Sequence, residues 1–343
     1  MIFFSIGLPS CFAELCDALT LRLAEHCLGS VALGAFNSFE DVATAAIRSD
    51  AAHLVAASRQ PVVRLQSEIV GAGRPFLVAL GDVRSALSDL LQRPNYDIPA
   101  ATREIASSCA AMLTLTKAPG ALVLPGIHGK EPAQLAAAIA DHFGFAVAAG
   151  DLAAIAASVG DLAAGVEQET AWIDRLSDHE QAIIDGALQP YVSYFAGGEL
   201  EPIVWEPDLF FANDEHFPAI GPIDITGLGR ILVFGPYINL TPGPWSATVV
   251  IGFSAETAGV GFVVEVYAGA QLATARVQPT GEQVIESTLQ FTIEDSVDQP
   301  VEIRIVSERA AFDGRLALGY ASLLPRAGVR TETHQELIEA LRR

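Results

Sequence analysis

Lysine is nearly missing from this 343-residue chain: Lys117 and Lys130 are the two, and the other basic side chains are arginines spread along the sequence. With 41 Asp and Glu against 20 Lys and Arg, the formal charge is −21. Nucleic-acid binding needs a basic face, which this composition excludes. Anionic membrane surfaces are disfavoured for the same reason. Any site for a polyanion has to be made of arginines and backbone N–H groups. Long apolar runs are also missing. Mean hydropathy is +0.36 and 51% of residues are apolar, yet no run reaches the roughly 18 uninterrupted residues of a membrane helix. The richest stretch, FGFAVAAGDLAAIAASVGDLAAGV, is broken by Asp151 and Asp161. The excess apolar surface is expected to close a domain or subunit contact, as in a homo-oligomer or a component of a larger assembly. Cysteine is sparse. Cys11, Cys16, Cys27 and Cys109 match neither a CxxC zinc knuckle nor a disulfide framework, so free thiols in a reducing compartment are expected. MIFFSIG has no charged n-region and no cleavage site, so it reads as a strand and the protein as cytoplasmic.

What is present falls into two patterns. At 343 residues the chain has room for two domains. In the first part, short apolar runs alternate with helical periodicity: strands over 2–6, 30–33, 53–57, 76–80 and 121–125, and helices over 12–27, from Ser38 to near Arg48, 62–70, after Gly81, over 101–116 and over 132–143. Ser177 and Glu180 form a capping box for a further helix that should stop before Pro190. Strand–helix alternation implies a parallel sheet covered by helices. From about residue 200 the chain turns rich in Pro, Gly and aromatics, with strand-like runs such as WSATVVIGF, VGFVVEVYA and VEIRIVSE. Val301, Ile303 and Ile305 alternate with Glu302 and Arg304, as in a sheet with one solvated face. The expected organisation is an α/β parallel-sheet domain over 1–197, a linker over 198–225, a jelly-roll β-sandwich over 226–326 and a C-terminal helix over 327–343.

Three ordered segments carry a family resemblance. FSIGLPSCFAELCDAL, RPFLVALGDVRSALSDLL and ALVLPGIHGKEPAQLAAAIADHFGF, with the later Trp172–Glu180 stretch, resemble the P-loop-like sulfotransferase domain. That resemblance implies 3′-phosphoadenosine 5′-phosphosulfate as donor. Donor-binding positions then fall on Ser10, Cys11, Arg84 and Ser88. Arg59 and Arg64, after the third strand, are further candidate anion contacts by position, with a salt bridge to Asp or Glu as an equally weighted reading.

The departures lie in the chemistry. Where the family reads P-K-S-G-T-T, this chain reads Pro9, Ser10, Cys11, Phe12, Ala13, Glu14. The loop lysine is Ser10, the close-approach glycine is Phe12, and Glu14 puts a carboxylate where an anion should sit. Gly81 replaces an arginine, and Asp89 takes a serine slot. Each charge-assisted hydrogen bond to phosphate is worth about 1.5–3 kcal/mol. The losses could together remove more than roughly 6 kcal/mol, about four decades in affinity.

Other residues have chemical potential. His128, just past a strand end, and Glu14 are the candidate catalytic bases, with a plain loop histidine as the competing reading of His128. The acidic stretch 206–216, with Asp208, Asp214, Glu215 and His216, lacks calcium-loop spacing, so no metal is expected and it reads as linker. Trp245, Tyr237 and Tyr267 are the aromatics that could stack on sugar rings, against core packing as the alternative. GPYINLTPGPW followed by strands, over about 225–325, resembles the jelly-roll module appended to enzymes of bacterial surface-polysaccharide assembly. The two resemblances imply a non-catalytic, sulfotransferase-like protein that binds a glycan or scaffolds glycoconjugate assembly. The alternatives are an active sulfotransferase with a rebuilt donor site and a structural subunit of a larger assembly.

Overall fold

The computed structural model describes residues 1–48, 50–62, 68–126, 131–166, 175–213, 217–294 and 299–326. The chain divides into two compact units: Met1–Glu201 with Gly235–Thr241 and a short piece ending at Val301, and a second built mainly from Pro202–Phe234 and the chain after Pro242.

The first unit has a five-stranded parallel sheet of β1 (Ile2–Gly7), β2 (Val31–Ala35), β3 (His53–Ser58), β4 (Phe76–Leu80) and β5 (Ala121–Pro125), in the order β2-β3-β1-β4-β5. β1 pairs with β3 from Ile2↔Leu54 to Ile6↔Ser58, and with β4 from Phe4↔Phe76 to Gly7↔Ala79. Buried on both faces, these strands read as continuous apolar runs. The helices are α1 (Cys11–Leu28), α2 (Phe39–Arg48), α3 (Val83–Leu91), α4 (Ile98–Leu115), α5 (Pro132–Phe143), α6 (Ala149–Ala157), α7 (Gly160–Val166) and α8 (Asp178–Phe195). Phe12, Leu15, Cys16, Leu19 and Leu23 of α1 form a core with Leu77, Ala79, Leu124 and Ile139. The apolar stretch broken by Asp151 and Asp161 makes α6 and α7, and Val159, Leu152, Ile155 and Leu162 pack on that core.

Sequence and structure differ at several places. α8 starts at the Ser177–Glu180 capping box as expected, but runs through Pro190 to Phe195. Pro190 and Tyr191 are buried and α8 packs along α4, which outweighs the penalty of about 3 kcal/mol for an interior proline. Of the helix expected over 62–70, residues 63–67 lie outside the described residues, as do Trp172 and the C-terminal helix over 327–343. Among the described residues, no helix is long and apolar enough to cross a membrane.

The second unit is an antiparallel β-sandwich. The segment expected as a linker belongs to it: β6 (Ile203–Trp205), β7 (Phe211–Ala212), β8 (Phe217–Pro218) and β9 (Ile223–Asp224) are all paired strands. Then come β10 (Ile231–Phe234), β12 (Gly243–Phe253), β13 (Phe262–Ala268), β14 (Ala270–Val277), β15 (Gln283–Ile293), β16 (Val301–Ser307) and β17 (Arg315–Pro325), while β11 (Pro236–Ile238) falls in the segment that belongs to the first unit. One sheet runs β14-β13-β16-β10-β7-β8, the other β15-β12-β17-β6. Side chains alternate in and out with the pleat. Trp245, Ala247, Val249, Ile251 and Phe253 of β12 are buried, as are Phe262, Val264 and Val266 of β13. Phe253 and Phe262 meet across the sheets with centroids 5.0 Å apart.

Candidate functional site

In the α/β unit, the place to look is where the connections leaving neighbouring strands diverge. β1 leads towards the β2 edge and β4 towards the β5 edge, so the crevice should open beyond Gly7 and Leu80. It is packed shut. A Cβ on Gly7 would stand 2.9 Å from Ala13 Cβ, and one on Gly81 would stand 2.6 Å from Ser10 Oγ. One on Gly126 would stand 2.8 Å from the Leu80 carbonyl oxygen and 3.2 Å from the Phe12 ring. The loops after β1, β4 and β5 therefore lie directly on one another. Phe12 turns into the core, 6% exposed. The Ser10 hydroxyl caps α1: it accepts from the Ala13 N–H at 3.2 Å and donates to the Leu8 carbonyl at 3.3 Å. Cys11 is half-buried, its sulfur facing Gly165, and Glu14 is exposed in the first turn of α1.

The arginines expected to hold an anion are engaged by carboxylates. Arg59, just after β3, donates to Asp17 of α1, whose side chain is 5% exposed. Burial lowers the Arg59 guanidinium to about 10, opposed by Glu14, Cys16 and Asp89, so it stays charged at neutral pH. Asp17 Oδ1 and Arg59 Nη1 find no hydrogen-bond partner among the described residues. Arg84 donates to Asp185 of α8 at 2.8 Å. Asp82 caps α3 by accepting from the Arg84 N–H at 2.9 Å, which places another carboxylate at that helix start. Ser88 is half-buried on α3, and Arg64 and His128 lie outside the described residues.

Sequence reasoning missed both acidic partners. Asp17 had a signal: Ala13, Asp17, Thr20 and Ala24 make a stripe of small and polar residues at helical spacing beside the apolar one, and all four are buried. Asp185 had none, since its partner is 101 positions away.

In the sandwich, Trp245 is 1% exposed, which corrects the expectation that its ring could stack on a sugar. It shares the inward parity of Ala247, Val249 and Ile251 on β12, a pattern visible in WSATVVIGF. Tyr237 is 40% exposed with a left-handed φ of 64°. It falls in the Gly235–Thr241 segment, which belongs with the α/β unit, where the Asn239 N–H donates to Ser107 Oγ on α4 at 3.0 Å. Tyr267 has outward parity on β13. Its ring carries the Arg304 guanidinium 4.0 Å from the centroid, and Arg304 donates to Glu302 at 2.7 Å. That hydrogen bond raises the Arg304 guanidinium above its ordinary value, with Tyr267 and Glu265 adding to the effect. β13 and β16 pair Tyr267 with Glu302 and Glu265 with Arg304, so these four side chains make one patch. Glu302 is 6% exposed, so the outer face is not fully solvated there: Arg304 lies along it. Asp208 is buried in a short 3-10 turn, and residues 214–216 lie outside the described residues. Among the described residues no group of three or more His, Cys, Asp and Glu is placed to hold a metal.

No family model matches the chain, and no curated protein matches it. Several solved structures are similar to part of it. One is a cyclase from Fischerella sp. TAU in complex with 4-(1H-indol-3-yl)butan-2-one, at 16% identity over 29% of this chain and 59% of that one, TM-score 0.24. The chain thus spans less than two thirds of that protein. Another is TmCBM61 in complex with β-1,4-galactotriose, at 14% identity over 36% and 82%, TM-score 0.24. A third is the CBM36-1 domain of a multidomain xylanase from the hindgut metagenome of Trinervitermes trinervoides, at 13% identity over 38% and 100%, TM-score 0.26. Likeness this distant says nothing about activity, and the sandwich architecture rests on its own strand pairing.

Proposed function

We propose that this chain is a glycan-binding component of polysaccharide or glycoconjugate assembly, with a sulfotransferase-like α/β unit that no longer works on a phosphosulfate donor. The observation that carries the reading is the Tyr267–Arg304–Glu302–Glu265 patch on β13 and β16. It joins an aromatic ring of the kind that meets sugar C–H groups to a guanidinium and carboxylates suited to hydroxyls; Arg304 lies over the ring and Glu302 is buried beside it, so a sugar has to shift the guanidinium to stack on Tyr267. Tyr237, 40% exposed, is a second stacking candidate.

Loss of donor chemistry is supported by the engaged arginines. Arg59 and Arg84 each face a carboxylate, and Ser10 and Phe12 fill the crevice where a phosphate would enter. A role in an assembly, as a homo-oligomer or with other proteins, is supported by Leu228 and Phe312. They flank the bridged pair Gly227↔Ala311 and are 80% and 99% exposed.

The test is a glycan panel run on the full chain and on Tyr267→Ala, beside calorimetry with 3′-phosphoadenosine 5′-phosphate. A glycan ligand whose affinity falls about tenfold or more in the variant, with no nucleotide binding at millimolar concentration, supports the reading. Nucleotide binding at micromolar strength, or sulfate transfer to any glycan, overturns it in favour of an active transferase.

A further inference from the structure

Two cavities share lining residues in the α/β unit beneath the last turns of α8, the first of them at the carboxyl ends of β4 and β5. The first, of about 440 Å³, is walled by Leu80, Val83, Pro125, Val192 and Phe195, with Asp82, Arg84 and Gln189 among its polar residues. The second, of about 460 Å³, is lined by Thr116, Lys117, Tyr194 and the Gly197–Gly198 backbone. Leu80 and Phe195 line both. Each is within the size range of a small-molecule site, and the ends of parallel strands are where such sites form.

The two chambers differ in chemistry. The first offers mainly carbon, and its one cation, Arg84, is already held by Asp185 at 2.8 Å. Asp82 adds a further carboxylate, so a polyanion is repelled there. The second holds Lys117, whose ammonium sits 4.7 Å from the centroid of the Tyr194 ring. It makes no ion pair with any of the described residues. In a chain of net charge −21, a lysine held over a ring and not by a carboxylate keeps its charge available to a ligand.

We propose that the paired chambers bind an amphipathic monoanion, its apolar body against Val83, Pro125, Val192 and Phe195 and its carboxylate on Lys117. This site belongs to the α/β unit and the Tyr267 patch to the sandwich, so it stands whether or not the chain binds glycans.

Calorimetry on the full chain with octanoate, and with 1-octanol as the uncharged molecule of the same chain length, tests it. Lys117→Gln is expected to weaken octanoate by about tenfold, the scale of one charge-assisted contact, and to leave octanol unchanged. Ala196→Phe, at an exposed position lining the apolar chamber, should weaken both. Thermal unfolding of each variant establishes that it is folded. The proposal is overturned if neither molecule binds, if octanoate binds no tighter than octanol, or if Lys117→Gln leaves octanoate affinity intact.

Discussion

Arg59 spends its charge on Asp17, a carboxylate 42 positions earlier in the chain and nearly buried in the side of α1. This contact turns a candidate anion-binding arginine into a structural one. Removing one member of a buried pair leaves the other uncompensated, at a cost of about 3–5 kcal/mol. Asp17→Asn is therefore expected to lower the unfolding free energy in urea by that amount. Replacing both residues, as Asp17→Asn with Arg59→Met, should recover much of it. Equal losses for the single and double variants would show that the pair is not the source.

Two of the three aromatics expected to stack on sugars should separate under mutation. Trp245 is buried among the inward residues of β12, so Trp245→Ala should cost about 3–5 kcal/mol of stability. Tyr267 lies outward under Arg304, so Tyr267→Ala should change unfolding little and glycan affinity strongly. Denaturant melts and binding titrations on the same two proteins decide the matter.

Cysteine chemistry should split by burial. Cys16 and Cys109 are fully enclosed, while Cys11 and Cys27 are half-exposed. A thiol-specific reagent should modify two cysteines quickly in the native protein, and all four after unfolding. Burial raises the Cys16 thiol from 9.0 to about 12, with Arg59 opposing. The folded state keeps this thiol protonated when the unfolded chain would release the proton. Its contribution is complete below pH 9 and is lost as pH climbs from 9 towards 12. Stability of the wild type should fall more steeply than that of Cys16→Ala over that window, and parallel curves would refute the assignment.

Acid should act at the start of α8. Glu180 accepts from the Ser177 backbone N–H at 2.8 Å and from its hydroxyl at 2.7 Å, and these bonds hold its carboxyl below the ordinary 4.5. A depressed carboxylate stabilises the fold above the unfolded value, and that contribution fades as pH falls through the folded one. The gap in melting temperature between wild type and Glu180→Gln should thus be open at neutral pH and close below about pH 4.5. Loss of the Ser177 cap, in Ser177→Ala, should cost about 1 kcal/mol.

Much of the architecture was legible because it is written in local periodicity. The strands ending at Gly7, Ser58 and Leu80, the Ser177–Glu180 box and the alternation through Val301–Ile305 are short-range patterns that water and the backbone read directly. The strand character of 203–224 was not legible, since β6 to β9 are two or three residues long and owe their form to partners such as β17 and β10. Pro190 misled for the same reason: its penalty is local and its compensation is packing against α4.

Charge and residue type alone determined that this chain has no basic face, that its loop after β1 carries neither lysine nor glycine, and that its second half is sheet. Tertiary structure decided where the remaining cations went. Arg59 and Arg84 found carboxylates on helices 42 and 101 positions away, while Lys117 found an aromatic ring on α8. Electrostatic partners of that kind are chosen by how helices dock on a sheet, and docking is driven by apolar burial, which carries no record in the local sequence of which charge will meet which.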